Sequence, residues 1–269
     1  MTRTKLRVLA LCGIAQTADI FRQQLAPLQE TCTDVEFVFL EPPIILKPAD
    51  FPPVLKLVKD TPLETSLESA ENVHRAWWVF DKDYQGYQHF DETVTYVHDY
   101  LLRHPPFDGV MGFSQGGVMA SLLCAMIDKP HLHPNFPADP SINQFKFMIA
   151  ASSFVPFIKA HLAPQFLPYY PLPSSLVTLH IAGAKDSVIP QEETRFLASR
   201  CLDSRLEIHP GGHYWPLKPE WKTFISTYMS SFHPGGTKGQ GVESPSTAIR
   251  DSHDLDPSLS ADRSVSAKL

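Results

Sequence analysis

Apolar residues occur along the chain in two alternating patterns, short continuous runs and segments with helical spacing. Phe90, Val94, Val97 and Leu101, for example, recur at intervals of three and four residues, which is the spacing of one face of an α-helix. Runs that alternate with such segments are typical of βαβ units, so the pattern predicts a mostly parallel sheet flanked by helices. The predicted strands are residues 6–12, 35–40, 107–113, 145–151, 176–182 and 205–209, and the predicted helices are 20–28, 90–101, 115–127, 190–201 and 218–232.

A proline-rich segment over residues 41–86 interrupts this alternation. Its six prolines exclude a long helix or a central strand, because proline lacks the N–H that both structures need. The same segment contains large apolar side chains, among them Phe51, Trp77, Trp78 and Phe80. Two interpretations stay open: a loop folded back onto the core, or a lid-like insertion that forms one wall of an apolar pocket.

The last part of the chain, residues 234–269, has a different character. It contains no aromatic residue, and it has seven Ser, four Gly and three Pro. Such a segment buries too little apolar area to offset the entropy lost on ordering. We therefore predict one folded domain over residues 1–233 and a disordered tail over residues 234–269.

Charge and cysteine content exclude several classes of protein. The 269 residues include 23 Lys and Arg against 29 Asp and Glu, a net charge of −6, so nucleic acid is not an expected partner. No run of apolar residues is long enough to span a membrane. The four cysteines, Cys12, Cys32, Cys124 and Cys201, form no CxxC pair, which is typical of a reducing compartment.

The strongest chemical signal is Gly112-Phe113-Ser114-Gln115-Gly116, a match to the G-x-S-x-G nucleophile elbow. The motif lies between a predicted strand and a predicted apolar helix, which is the context that the elbow requires. Its glycines permit a turn so sharp that the serine is exposed at the edge of the sheet, near the N-terminus of the helix. Ser114 is therefore the predicted nucleophile.

A serine hydroxyl needs a base, and the base needs a carboxylate to orient it. In proteins with such an elbow on a mostly parallel sheet, the three residues follow along the chain in the order Ser, acid, His. Asp186 lies just after a late strand and is the predicted acid, whereas its rival Asp203 lies before a strand. His213 follows the last strand through Gly211-Gly212 and is the predicted base.

His209, within the last strand, is the alternative base. An imidazole held on one face of a sheet reaches the edge less easily than one on a glycine loop.

Two backbone N–H groups are needed to stabilise the oxyanion. We predict Gln115, which follows the nucleophile, and Ile14, in the glycine turn after the first strand. No His or Cys pattern has metal-ligand spacing, so neither a metal nor a cofactor is expected.

Together these residues resemble the fungal serine hydrolase family of the α/β-hydrolase superfamily. The resemblance implies the α/β-hydrolase fold, a catalytic triad of Ser114, Asp186 and His213, and hydrolysis of a small carboxylic ester or acyl thioester. It also implies a place in secondary metabolism, where relatives release or trim polyketide- or fatty-acid-derived chains, some of them in toxin pathways. It extends over residues 6 to about 232 and rests on Leu11-Cys12-Gly13, Phe21-Arg22, Arg75-Ala76-Trp77-Trp78, the elbow with Gly117, the Gly183–Asp186 loop and Gly211-Gly212-His213.

One departure from the family pattern is Cys12, where many relatives have His before the glycine. The backbone donor survives this change, but any role of an imidazole is lost. Two other functions stay open on the same scaffold: a catalytically silent binding protein, and an acyltransferase.

The final residues Ala267-Lys268-Leu269 are a one-residue variant of the S-K-L peroxisomal signal. They predict import into peroxisomes by the receptor for such signals, with a cytoplasmic location as the alternative.

Overall fold

Six parallel strands form the central sheet of the structure, a computed structural model that describes residues 5–47, 50, 73–80, 86–104, 106–158 and 161–245. The strands lie in the order β6-β5-β4-β3-β1-β2, and every neighbouring pair is parallel. This arrangement confirms the predicted mostly parallel sheet. The strands are β1 (Leu6–Leu11), β2 (Val35–Leu40), β3 (Gly109–Phe113), β4 (Phe147–Ala151), β5 (Val177–Gly183) and β6 (Ser204–His209).

Helices cover both faces of the sheet, so the fold has three layers. Strand β1 shows why both faces are apolar: Val8 and Ala10 enter one hydrophobic core, while Leu9 and Leu11 enter the other. The helices are α1 (Ala18–Gln24), α2 (Ala26–Thr31), α3 (Phe90–Arg103), α4 (Gln115–Asp128), α5 (Gln191–Ser199) and α6 (Pro219–Ser230), with short 3₁₀ helices at Pro130–Leu132 and Pro164–Tyr169.

In the described part of the chain, three small antiparallel pairs lie outside the main sheet, and the apolar pattern did not predict them. Each strand has two residues, too few to show a periodicity. The pairs are Ile44–Ile45 with Arg75–Ala76, Val79–Phe80 with Tyr87–Gln88, and Phe157–Ile158 with His161–Leu162.

Part of the proline-rich segment is described, and it packs onto the core. Trp77 and Trp78 are both 0% exposed and belong to the hydrophobic core between the sheet and helices α3 and α4. For these two residues the loop folded back onto the core is the correct interpretation, and the open pocket wall is wrong. Phe51 lies outside the described residues, so the lid interpretation of that part stays a prediction.

The domain extends beyond the predicted boundary at residue 233. Residues 234–245, the C-terminal arm, lie against β6 and α6: Val242 O accepts a hydrogen bond from Arg205 Nη1 at 2.8 Å. Gly239 N–H donates to Ser231 Oγ at 2.6 Å, and the Gly239 backbone is packed on Tyr228. The predicted tail is therefore wrong for these residues, because polar contacts and glycine packing replace the missing apolar area.

The predicted targeting residues Ala267, Lys268 and Leu269 lie outside the described residues, and peroxisomal import stays a prediction. Among the helices of the described residues, none is both long enough and apolar enough to cross a membrane.

Candidate active site

Ser114 lies at the turn between β3 and α4, with a backbone conformation that side chains rarely adopt. Its φ is 51° and its ψ is −121°. The turn is fixed to the neighbouring strand, because Ser114 N–H donates to Ala151 O at 2.9 Å. A serine with positive φ is strained, and such strain is typical of nucleophile elbows and other functional sites.

The glycines of the elbow are required by close backbone contacts. A Cβ atom at Gly112 would lie 2.2 Å from Gly116 O, and one at Gly116 would lie 2.2 Å from Leu11 O. Both distances are far below van der Waals contact. A side chain at Gly112 would push β3 and the start of α4 apart, and one at Gly116 would push the elbow away from β1, so either would change where Ser114 lies.

Asp186 lies on the loop after β5, and its carboxylate is fully buried. Its Oδ1 accepts the N–H groups of Val188 at 3.0 Å and Ile189 at 2.8 Å. Burial raises the pKa of Asp186, but the hydrogen bond and charge of His213 and the Ile189 N–H together lower it below its ordinary value. The side chain is therefore an ionised acceptor held in a fixed orientation.

His213 follows β6 and meets Asp186 across the loops. Its Nδ1 lies 2.8 Å from Asp186 Oδ2, and its side chain is 11% exposed. An ionised carboxylate can only accept, so Nδ1 carries the proton and Nε2 is the basic nitrogen. The ring also packs on Phe113, the residue before the serine, with centroids 4.8 Å apart.

The loop that presents His213 is tied to the loop that presents Asp186. Ala184 N–H donates to His209 O, and Lys185 N–H donates to Gly211 O, both at 2.8 Å. A Cβ at Gly183 would lie 2.4 Å from Gly212 O, so the two loops are in direct backbone contact. This contact fixes the acid and the imidazole relative to each other.

His209, the alternative base, is buried at the end of β6. Its Nδ1 accepts the N–H of Gly211 at 3.2 Å, and its ring packs on Tyr214 and Trp221. Burial lowers the pKa of His209 to about 4, opposed by the charge of Asp186. The neutral His209 ring packs beneath the start of the loop that presents His213, and it has a structural role in the site.

Sequence reasoning missed Ser152, which lies directly after β4. Its φ is 46°, and its N–H donates to Ile181 O at 2.8 Å. Its hydroxyl is buried without a hydrogen-bond partner of normal geometry among the described residues, yet it is close enough to help lower the pKa of Asp186. No sequence motif marks this serine, because its proximity to Asp186 depends on the pairing of β4 with β5.

The two predicted oxyanion donors are the N–H groups of Ile14 and Gln115. Gly13, beside Ile14, lies against the nucleophile: a Cβ there would be 3.4 Å from Ser114 Cβ. Gly13 N–H is bonded to Gln16 Oε1, and Ala15 N–H is bonded to Arg75 O. Among the described residues, no hydrogen-bond partner is found for the N–H groups of Ile14 and Gln115, and their role as oxyanion donors stays a prediction.

Cys12, the departure from the family pattern, is fully buried beneath this turn. Its Sγ lies 3.6 Å from Gln16 O, to which it donates. Burial raises the pKa of the Cys12 thiol well above its ordinary value, so the side chain is a neutral thiol and not a nucleophile. In the described part of the chain, no group of three or more His, Cys, Asp and Glu side chains is arranged to hold a metal ion.

Comparison with known protein families agrees with the elbow and its fold. Residues 1–225 match the family described as Serine hydrolase (FSH1). The chain belongs to this serine hydrolase family. Its relatives include Esterase OVCA2 of Mus musculus, which is 30% identical over 243 residues, covering 86% of this chain and 98% of the mouse protein.

A fungal relative is about twice as long as the part that matches this chain. The Schizosaccharomyces pombe protein named Dihydrofolate reductase is 28% identical over 230 residues, which are 84% of this chain but 47% of that protein. The chain thus spans about half the length of this relative. Relatives of the chain thus occur in animals as well as in fungi.

Solved structures confirm the α/β-hydrolase fold. Acyl-protein thioesterase 2 of Zea mays superposes with a TM-score of 0.55 and 16% identity, covering 86% of this chain and 95% of the maize chain. At this identity the likeness shows the fold alone.

Proposed function

We propose that this serine hydrolase is an esterase that cleaves small carboxylic esters or thioesters, with Ser114 as nucleophile, His213 as base and Asp186 as orienting acid. The observation that supports this most directly is the 2.8 Å hydrogen bond between His213 Nδ1 and buried Asp186 Oδ2, with the His213 ring packed on Phe113, the residue before the strained Ser114. This bond leaves Nε2 as the basic nitrogen that would take the Ser114 proton.

The reaction has two steps. Ser114 Oγ attacks the acyl carbon while His213 Nε2 takes its proton; collapse of the tetrahedral intermediate expels the alcohol or thiol, which receives that proton. Water then attacks the acyl-enzyme with the same imidazole as base, releasing the acid and free Ser114. Among the described residues no hydrogen bond joins Ser114 Oγ to His213 Nε2; we expect one to form when substrate binds, because catalytic hydrogen bonds are often long before the substrate complex forms.

The oxyanion of each intermediate would lie between the N–H groups of Ile14 and Gln115. Both groups are unbonded, and Gln115 N–H is at the N-terminus of α4, where the helix dipole favours negative charge. Removing one such donor from an oxyanion hole lowers kcat by about 10²–10³. Together these features support acyl transfer to water.

The relatives support esters as the substrate class, since one of them is a mouse protein named as an esterase over almost its full length. A thioester, and a polyketide- or fatty-acid-derived product of secondary metabolism, is the narrower proposal. It rests on the resemblance of the elbow and the early glycine turn. Binding without turnover is the competing function on this scaffold, and an intact Ser114, Asp186 and His213 argues against it.

The test combines labelling with turnover. A fluorescent alkyl fluorophosphonate should label the unmodified protein and not Ser114→Ala, and 4-nitrophenyl acetate, 4-nitrophenyl octanoate and octanoyl-CoA should be compared as substrates. Hydrolysis that Ser114→Ala abolishes supports the proposal. A folded, unmodified protein that neither reacts with the probe nor hydrolyses any of the three would refute it.

A further inference from the structure

The segment Arg75–Trp78 runs between the two elements that hold the proposed oxyanion donors. On one side it bonds to the turn after β1: Ala15 N–H donates to Arg75 O at 2.7 Å, and Trp77 Nε1–H donates to Cys12 O at 2.8 Å. These bonds fix the chain on both sides of Gly13-Ile14.

On the other side the segment bonds to the elbow through one side chain. Gln115 Oε1 accepts the Trp77 N–H, and Gln115 Nε2 donates to Trp78 O, both at 2.9 Å. The Gln115 side chain is buried, and its amide is fixed by a donor and an acceptor on consecutive residues. Its own backbone N–H is the second oxyanion donor.

The segment is itself anchored to the rest of the fold. Thr93 Oγ1 on α3 donates to Trp77 O. The guanidinium of Arg75 forms an ion pair with Glu41 at 2.7 Å and donates to Pro42 O at 3.0 Å. The segment that bonds to Cys12, Ala15 and Gln115 is therefore itself held in position by α3 and by residues 41–42.

Oxyanion stabilisation depends on this kind of fixation. The two donors lie on different elements, and both must be within hydrogen-bond distance of one developing charge. A displacement of about 1 Å in such a site lowers the rate by about 10²-fold. A third element bonded to both sides fixes the distance between the donors.

We infer that Arg75–Trp78 is a clamp that sets the relative position of the Ile14 and Gln115 N–H groups. The indole of Trp77 and the side-chain amide of Gln115 are its positioning residues. This inference rests on the proposed function, because it concerns the oxyanion hole of that reaction. It replaces the role of pocket wall for Trp77, which is 0% exposed.

Two neighbouring tryptophans provide a matched test. Trp77→Phe removes the N–H that bonds Cys12 O, whereas Trp78→Phe removes an indole N–H that is buried without a partner among the described residues. Both side chains are 0% exposed, so both variants lose a similar packed volume. The backbone O of Trp78, which bonds Gln115, is unchanged by the second variant.

With 4-nitrophenyl acetate, Trp77→Phe should lower kcat roughly tenfold or more while KM stays within about twofold. Trp78→Phe should keep kcat within about twofold, with a similar fall in Tm. An alkyl trifluoromethyl ketone is attacked by Ser114 Oγ and forms a tetrahedral oxyanion. Its affinity for Trp77→Phe should be lower than for the unmodified enzyme by the same factor by which kcat/KM is lower. A role in stability alone would lower Tm without changing either quantity in the folded protein.

Gln115→Met, which keeps the length of the side chain but removes both bonds, is a second and independent variant. It should show the same loss of kcat and of ketone binding. Equal kcat for Trp77→Phe, Trp78→Phe and the unmodified enzyme would overturn the clamp while leaving the esterase proposal intact. An unmodified enzyme without turnover would instead overturn the proposed function.

Discussion

Asp186 Oδ2 lies 2.8 Å from His213 Nδ1, although the two residues are 27 positions apart in the sequence. The other carboxylate oxygen is occupied by the N–H groups of Val188 and Ile189, so the carboxylate cannot rotate away from the imidazole. This relationship selects one tautomer of His213, in which Nδ1 carries the proton and Nε2 is the basic nitrogen.

Asp186→Asn should therefore lower kcat by about 10³–10⁴, because an amide can donate to Nδ1 and stabilise the wrong tautomer. Steady-state kinetics with 4-nitrophenyl acetate measure this loss. Asp203→Asn is the matched control: its side chain is exposed and precedes β6, so kcat should stay within about twofold. An equal loss in both variants would mean that the acid is assigned wrongly.

Most of the sheet could be predicted from the sequence because its four inner strands, β1, β3, β4 and β5, are almost wholly buried and so form short continuous apolar runs. Strand β2 has the predicted bounds, and β3, β4 and β5 differ by only a few residues at their ends. The helical spacing over residues 20–28 was less informative, since it continues across α1 and α2. Pro27 has no N–H to continue the first helix, and a new helix begins at Ala26.

The chain positions of Ser114, Asp186 and His213 could be predicted because each follows a strand and so lies at one edge of a parallel sheet. The contacts of the Gln115 amide could not, since its partners are 37 and 38 residues away on an irregular segment. The C-terminal arm was missed for a related reason. Composition describes what a segment can bury by itself, whereas the arm bonds to Arg205 and Ser231.

The strain at Ser114 predicts which of two inactive variants is the more stable. Ser114→Gly should be more stable than Ser114→Ala by about 1 kcal/mol, because glycine adopts a φ of 51° without the steric penalty of a Cβ. Urea denaturation of both variants measures the difference. Ser121 within α4 is the control, where the order should reverse, since glycine destabilises a helix interior by about 1 kcal/mol relative to alanine. The same order at both positions would show that the elbow is not strained.

The packing of the C-terminal arm predicts a difference between two glycines with similar backbone angles. Gly239 and Gly241 have φ of 82° and 73°, but a Cβ at Gly239 would lie 2.6 Å from Tyr228, whereas one at Gly241 would meet nothing within 4 Å. Both alanine variants have the strain of positive φ, and only Gly239→Ala also displaces the arm. Gly239→Ala should therefore lower Tm by several degrees more than Gly241→Ala. Equal values of Tm would mean that the arm is not packed on α6.

Two buried histidines predict that stability falls with acidification. Burial lowers the pKa of His209 to about 4 and that of His180 to about 3, below the ordinary value of 6.5. Below about pH 6.5 the unfolded chain binds protons that the folded protein does not, so the free energy of unfolding decreases as pH falls from 6.5 toward 4. The slope is up to about 1.4 kcal/mol per pH unit for each histidine.

His209→Asn separates this effect from catalysis, since an amide oxygen can still accept the Gly211 N–H. Between pH 6.5 and 4.5, the slope of the free energy of unfolding with pH should decrease by about 1.4 kcal/mol per pH unit, which corresponds to one proton fewer taken up on unfolding. Urea denaturation at each pH measures this slope. Asp186 does not contribute in this window. Its pKa is lowered from 3.8, so its stabilisation is present above that value and is lost only as pH falls below it.

At pH 7.5 the His209→Asn variant should largely keep its kcat, because His213 supplies the base. If His209→Asn abolishes turnover in the folded protein while His213→Ala does not, His209 is the base and the proposed triad is wrong.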